Sequence, residues 1–267
     1  MARPLKKLRE KYPELILLDA GDTIQGDPSS FYFRNVAPEI TRPLPVIEMM
    51  NWLKYDTLTL GNYDFELLTK ILKHNIAQVQ FSWLAANVSF RNSKHPLFPP
   101  YKIIERYGVR VGIFGFIRPC VPLWIDPEQR KGLNFKEMFE IAKIWVKVLR
   151  EEEKVDYLIG LFNNGDNTLY DLDVASTREL PHPNSAGMIA DFSPAFDLII
   201  SGHANRISPK RLTQKLKGHQ TPLVSRGTAT EGLSTILVIF EENYGNWKIS
   251  KTVYAFIKAE KVPEPKM

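Results

Sequence analysis

Hydrophobic and polar positions along this 267-residue chain alternate between two periods. Short apolar runs of strand length occur at Leu15–Leu18, Thr57–Leu60, Phe81–Val88, Val109–Ile117, Asp156–Phe162 and Phe196–Ser201. Their nearly continuous apolar character predicts strands buried on both faces. Helical periodicities lie among them at Pro45–Leu53, Phe65–His74 and, longest, Phe135–Glu153. In the last, "FKEMFEIAKIWVKVLREEEK", Met138, Ile141, Ile144, Trp145 and Leu149 define an apolar stripe with charges opposite. That stripe predicts an amphipathic helix laid on a sheet. Strand and helix in alternation predict an α/β fold. Near the end, Leu233–Glu241 and Trp247–Ile257 flank the turn "ENYGN" and read as an antiparallel hairpin. The strands therefore run in mixed directions, and two packed sheets with helices outside are expected.

Residues 164–194, rich in Asp, Asn, Pro and Ser, form a long polar excursion between two apolar runs. Such excursions are commonly functional or without fixed structure. No repeat and no linker marks a second domain, so residues 1–267 read as one.

Composition narrows the class only a little. The chain is 44% hydrophobic and 24% charged, enough to build a sizeable core within a charged surface. Its best apolar run, "LSTILVIF", has the length of a strand and not of a membrane span. The opening "MARPLKKLREKYPEL" lacks the apolar centre of a secretory signal. A single cysteine, Cys120, excludes an internal disulfide and a cysteine-based zinc site, and it reads as a buried small residue. The net charge of +5 raises the question of nucleic acid. Basic residues cluster only at Lys6–Lys11 and Lys210–Lys217, and no nucleic-acid motif accompanies them. They read as solvated faces of a loop or helix.

Candidate chemistry gathers where the predicted strands end, the place where ligands collect in α/β proteins. "LILLDAGDTIQGDP" carries Asp19 and Asp22, and "LTLGNYDFE" carries Asn62, Tyr63 and Asp64. "YLIGLFNNGDN" carries Asn163, Asn164 and Asp166, and "FDLIISGHANR" carries His203 and Asn205. Gly-Asp and Gly-Asn are also ordinary turn formers, so each corner alone is a weak signal. Together they offer oxygen and imidazole donors of the kind that suit manganese, iron or zinc.

The order "GD … GN … GHxN" resembles the calcineurin-like metallophosphoesterases. The stretches "LLDAGDTIQGDP", "EMMNWLKYDTLTLGNYDFE", "WLAANV", "LFPPYKIIERYGVRVGIFGF" and "FDLIISGHAN" look like the 5'-nucleotidase and 2',3'-cyclic-nucleotide phosphodiesterase branch. The resemblance covers nearly the whole chain. It implies a four-layer α/β/β/α sandwich of two mixed sheets, with a dinuclear metal centre at the strand ends. The family opens with an Asp-x-His motif on a first strand, and residues 1–14 resemble the helix that follows it. On that alignment the first strand is missing. The same reading expects the C-terminal domain by which family 5'-nucleotidases grip the nucleobase to be absent from this chain. A protein partner supplying that domain is one expectation. Members are commonly periplasmic or extracellular.

The same resemblance assigns roles. Asp22 matches the bridging aspartate, Asn62 the asparagine ligand and His203 a histidine ligand. Tyr63 stands where the family has its catalytic histidine, and a phenol with a pKa near 10 is a poor substitute. Asn163 and Asn205 stand where it has ligand histidines. Asp19 and Asp64 are expected behind the ligands, Asp64 also as a helix cap. One carboxylate does not balance two divalent cations. A single weak site for manganese, zinc or iron at Asp22, Asn62, Asn163 and His203 is the most these donors offer, and no bound metal is the alternative. His74 and His95 read as surface groups, and His182 as a minor candidate for facing the cleft.

Three functions follow. The leading expectation is a degenerate phosphoesterase domain, of a family acting on nucleotides and other phosphoesters, with catalysis impaired or lost. The alternatives are an active single-metal hydrolase with a reworked site, and a basic binding or assembly module acting through Lys210–Lys217.

Overall fold

The computed structural model describes residues 2–24, 28, 31–32, 43–66, 76–128, 130–165, 186, 189, 195–203, 207–212, 221–226 and 232–258. Three helices and thirteen strands make up its frame among those residues. In chain order they are α1 (Ala2–Lys11), β1 (Leu18–Asp19), α2 (Pro45–Trp52), β2 (Thr57–Thr59), β3 (Ser82–Leu84), β4 (Val88–Phe90), β5 (Tyr101–Arg106) and β6 (Val109–Ile117). They continue with β7 (Leu133–Phe135), α3 (Met138–Lys147), β8 (Tyr157–Asn163), β9 (Leu198–Ser201), β10 (Ile207–Leu212), β11 (Pro222–Arg226), β12 (Gly232–Asn243) and β13 (Asn246–Lys258).

Two sheets carry the fold. The smaller is parallel, in the order β1-β2-β3. The larger has six strands in the order β10-β11-β9-β8-β6-β5. Its four central strands are parallel, and β10 and β5 run antiparallel at its edges. The hairpin β12–β13 and the pair β4–β7 form two further ladders.

Side-chain alternation sorts the residues into layers. Leu58, Leu60 and Trp83 of the small sheet pack with Ile47 and Met50 of α2. On the opposite face Leu84 meets Ile113, Leu161 and Leu198 of the large sheet, with Leu18 and the hairpin's Ile236, Val238 and Phe240 packed on the same cluster. Thr59 ties the layers further, its hydroxyl donating to Leu84 O and Phe116 O, each at 3.1 Å. The far face of the large sheet presents Phe114, Phe116, Leu158 and Phe162 to Met138 and Ala142 of α3 and to Leu149 just beyond it. The layers thus run helix, sheet, sheet, helix, and strands β6 and β8 are buried on both faces as their apolar runs predict.

Several expectations need correction. The run Phe81–Val88 holds two strands, because the backbone leaves the small sheet after Leu84: Ala85 and Ala86 donate to Pro99 O and Gly115 O. Of the first apolar run, Leu15–Leu18, only Leu18 enters a strand, β1, with Asp19 beyond it, and Leu17 instead donates its amide to the Asp56 side chain. Along α3 and the turn after it the buried residues are Met138, Ala142 and Leu149, with Ile144 56% exposed. At ~100° per residue Ile144 lies roughly 120° round the helix from Met138. The helix then widens into a π turn at Val148–Glu152. Lys210 belongs to the edge strand β10, not to a loop or helix. Of the helix expected over Phe65–His74, the described part is a 3-10 turn at Tyr63–Glu66, and residues 67–75 lie outside the described residues. Strands β5, β7, β10 and β11 had no counterpart in the sequence reading.

Candidate functional site

The parallel strands β1, β2, β6, β8 and β9 end at one rim, where the residues that follow each strand meet. Behind β1 the chain turns through Gly21 (φ +87°) and Asp22 (φ +59°). The left-handed region costs a non-glycine residue roughly 1 kcal/mol or more, so something must hold Asp22 in place. That something is Asp64. Its Oδ1 accepts from the amides of Thr23 at 2.9 Å and Ile24 at 3.0 Å. Its Oδ2 accepts from Gly61 at 2.7 Å and from Asp22 at 3.2 Å. One fully buried carboxylate thereby clamps the loop after β1 to the loop after β2. Burial, with the neighbouring Asp22 carboxylate, pushes Asp64 up to about 7 against the lowering pull of those amides. Asp19 supports the same turn, its Oδ1 accepting from Gly21 N and from the Thr23 hydroxyl at 2.9 Å each.

The clamp presents the Asp22 carboxylate to the other corners. Oδ1 accepts from the backbone amide of Tyr63 at 3.0 Å. Oδ2 accepts from the Asn163 side-chain amide at 3.0 Å and lies 3.2 Å from Nδ1 of His203. Asn163 also donates to Ala20 O at 2.8 Å, so its NH2 group bridges two oxygens of the first loop. His203 sits at φ +65°, which turns its ring toward Asp22. Asn62 is buried nearby. Its Oδ1 and those of Asn163 and Asn164 have no hydrogen-bond partner among the described residues.

Above this cluster the rim is aromatic. The Tyr63 ring lies 6.4 Å from the His203 ring at 27°, and Trp124 lies 6.5 Å from it at 42°. The Arg118 guanidinium sits over the Trp124 ring at 4.6 Å, and the Arg118 amide donates to Asn163 O at 3.1 Å. Arg118 and Trp124 were missed in the sequence. The available signal was a charged residue in the first position after the buried strand β6, at "FIRPCVPLW", the kind of place the other corners occupy.

The structure therefore brings Asp22, Asn163, His203 and the Tyr63 backbone together, with Asp64 and Asp19 behind them. Asn205, Asp166, His74 and His182 lie outside the described residues. His95 is exposed, away from this rim, and Cys120 is buried.

The family's divalent metals can be tested against this donor set. Among the described residues no group of three or more His, Cys, Asp or Glu side chains is placed to hold an ion. Both oxygens of the one converging carboxylate are already met by nitrogen, and the Asn163 NH2 group lies where a cation bound to Asp22 Oδ2 and Ala20 O would sit. The orphaned amide oxygens are hard but uncharged donors. In this arrangement the described residues do not fit a dinuclear centre.

Comparisons with known proteins fall on one branch. No family model matches the chain. It is 25% identical over 268 residues to a 2',3'-cyclic-nucleotide 2'-phosphodiesterase/3'-nucleotidase of Yersinia enterocolitica, covering 92% of this chain and 39% of that enzyme. It is 26% identical over 270 residues to the trifunctional nucleotide phosphoesterase protein YfkN of Bacillus subtilis, covering 93% of this chain and 18% of that protein. A crystal structure of the calcineurin-like phosphoesterase YfkN superposes with a TM-score of 0.81 at 26% identity, over 96% of this chain and 80% of that one. This chain thus spans about two fifths or less of the length of these curated relatives. The matched structure is a calcineurin-like phosphoesterase, and the sequence relatives fall within the 5'-nucleotidase and 2',3'-cyclic-nucleotide phosphodiesterase branch. No helix among the described residues is long and apolar enough to cross a membrane.

Proposed function

We propose that this chain is a phosphoesterase-type domain in which hydrolysis is lost or severely weakened while the strand-end crevice is kept for binding. In two-metal phosphoester hydrolysis the cations supply an activated water and neutralise charge on the phosphoryl group. Here the chain's own side chains occupy the coordination that such cations would need. The observation that carries the reading is the saturation of Asp22 by the Tyr63 amide, the Asn163 side chain and His203. The replacement of the family histidine by Tyr63 supports it, because a phenol is a weak acid catalyst near neutral pH.

The test pairs metal analysis with turnover on one preparation. After loading with manganese and removal of free ion, we expect substoichiometric metal and no hydrolysis of bis(p-nitrophenyl) phosphate or AMP above that of a His203→Ala control. Stoichiometric manganese with robust turnover, abolished by His203→Ala, would overturn the proposal and favour an active hydrolase with a reworked site.

A further inference from the structure

We infer that the rim of this crevice is a stacking platform for the flat aromatic ring of a ligand, recognised by its ring system and not by a phosphate. The inference deepens the binding reading above and rests on it. Three rings meet at the strand ends: Tyr63 after β2, Trp124 after β6 and His203 after β9. They come from three separate loops, so their meeting is a product of the fold and not of local sequence. Tyr63 and Trp124 remain 44% and 43% exposed, although each has a ring neighbour, so both leave aromatic surface open at the rim. An exposed tryptophan is ordinarily a loose side chain, but this one is held. The Arg118 guanidinium, itself buried, lies against its ring at 4.6 Å, and the Arg118 backbone is tied to Asn163. Restraint of this kind lowers the entropy lost when a ligand stacks.

His203 is fixed as well, through its contact with Asp22. Rings held in place over a polar floor suit a planar heterocycle, whose face meets the rings and whose edge carries donors. Among the described residues phosphate finds less here: Asp22 is the carboxylate at the centre of the cluster, and Arg118 is buried with its guanidinium against Trp124. The ligand class is therefore a nucleoside or a comparable flat heterocycle.

The experiment is calorimetric titration of the intact chain, in EDTA so that turnover plays no part, with adenosine, AMP and ribose 5-phosphate. Adenosine and AMP are expected to bind within a few-fold of each other and ribose 5-phosphate not measurably. Base stacking predicts that Trp124→Ala and Tyr63→Ala each weaken adenosine binding roughly 5- to 150-fold. Trp124→Phe, which keeps a ring, should restore most of it, and circular dichroism checks that each variant is folded. Ribose 5-phosphate binding as tightly as AMP, unchanged affinity in folded Trp124→Ala and Tyr63→Ala, or no adenosine binding to the wild type would overturn the inference. Manganese-dependent AMP hydrolysis alongside ring-dependent adenosine binding would sink the loss of catalysis and leave the platform standing.

Discussion

Asn163 donates its side-chain amide to Asp22 Oδ2 at 3.0 Å and to Ala20 O at 2.8 Å, and so places a neutral NH2 group between two oxygens. A hydrogen-bond donor in that position does for the oxygens what a cation would do elsewhere, without the charge. The relationship explains how the half-buried Asp22 carboxylate is accommodated at the centre of the rim.

Replacing that donor by an acceptor should make the fold ask for the ion. In Asn163→Asp a second carboxylate would face Asp22 at hydrogen-bond distance, in a position that is fully buried. Like charges this close are strongly unfavourable, and we expect a loss of about 2–4 kcal/mol in metal-free buffer. Divalent cation should return part of it: ligand at ~100 times its Kd contributes about 2.7 kcal/mol. Thermal melts with and without manganese check this. The variant's melting temperature should rise with the ion and the wild type's should not. A variant indifferent to manganese would show that the geometry around Asp22 cannot hold an ion even with two carboxylates.

Much of the frame was legible because burial imposes a simple pattern. Val109–Ile117 and Asp156–Phe162 are apolar throughout and became β6 and β8, which need no alternation when both faces are covered. Edge strands were harder. Tyr101–Arg106 and Ile207–Leu212 carry charged residues among their apolar ones and so resemble loops. Of the rim, Asp22, Asn163 and His203 were readable as polar residues just after strands, but their mutual hydrogen bonds depend on strand register. Arg118 could have been read from its place just after β6, but nothing in the spacing of Arg118 and Trp124 shows that the guanidinium lies against the ring.

Asp64 should prove less replaceable than an isostere suggests. Each of its oxygens accepts from two backbone amides, so no orientation of an asparagine avoids turning an NH2 group toward two N–H donors. Each buried amide left unpaired costs about 1–3 kcal/mol, which puts Asp64→Asn at about 2–5 kcal/mol. Urea denaturation measures it. A cost below ~1 kcal/mol, the scale of an ordinary surface change, would mean that the clamp contributes little.

Gly61 is the point where the two clamped loops come closest. A Cβ there would fall 2.3 Å from Asp22 N and closer still to the Asp22 carboxylate; a side-chain rotation could move the carboxylate but not the backbone nitrogen. Gly61→Ala should therefore cost at least the ~1–3 kcal/mol of ordinary overpacking. It should also displace Asp22 from His203, visible as a changed imidazole shift in NMR spectra. Gly132, whose added Cβ would meet nothing within 4 Å, is the comparison for space, although its φ of +78° strains any substitution there.

Tyr157 sets part of the alkaline limit of the fold. It opens β8 with its ring edge against Phe240 at 5.5 Å and is almost wholly buried. Burial first, then Asp197 and Tyr254, raise its pKa well above that of a free phenol. A folded-state pKa above the unfolded value of about 10 gives stability that is fully present below pH ~10 and is lost as pH rises toward the folded value. The loss runs at up to about 1.4 kcal/mol per pH unit in that window. Tyr157→Phe removes the ionisable group and keeps the ring. We expect near wild-type stability at pH 7 and a shallower decline above pH ~10, with the raised Tyr101 and Tyr254 keeping some slope. Urea midpoints for both proteins at neutral and alkaline pH provide the measurement. Parallel declines in the two proteins would show that Tyr157 ionises no harder in the fold than in the unfolded chain.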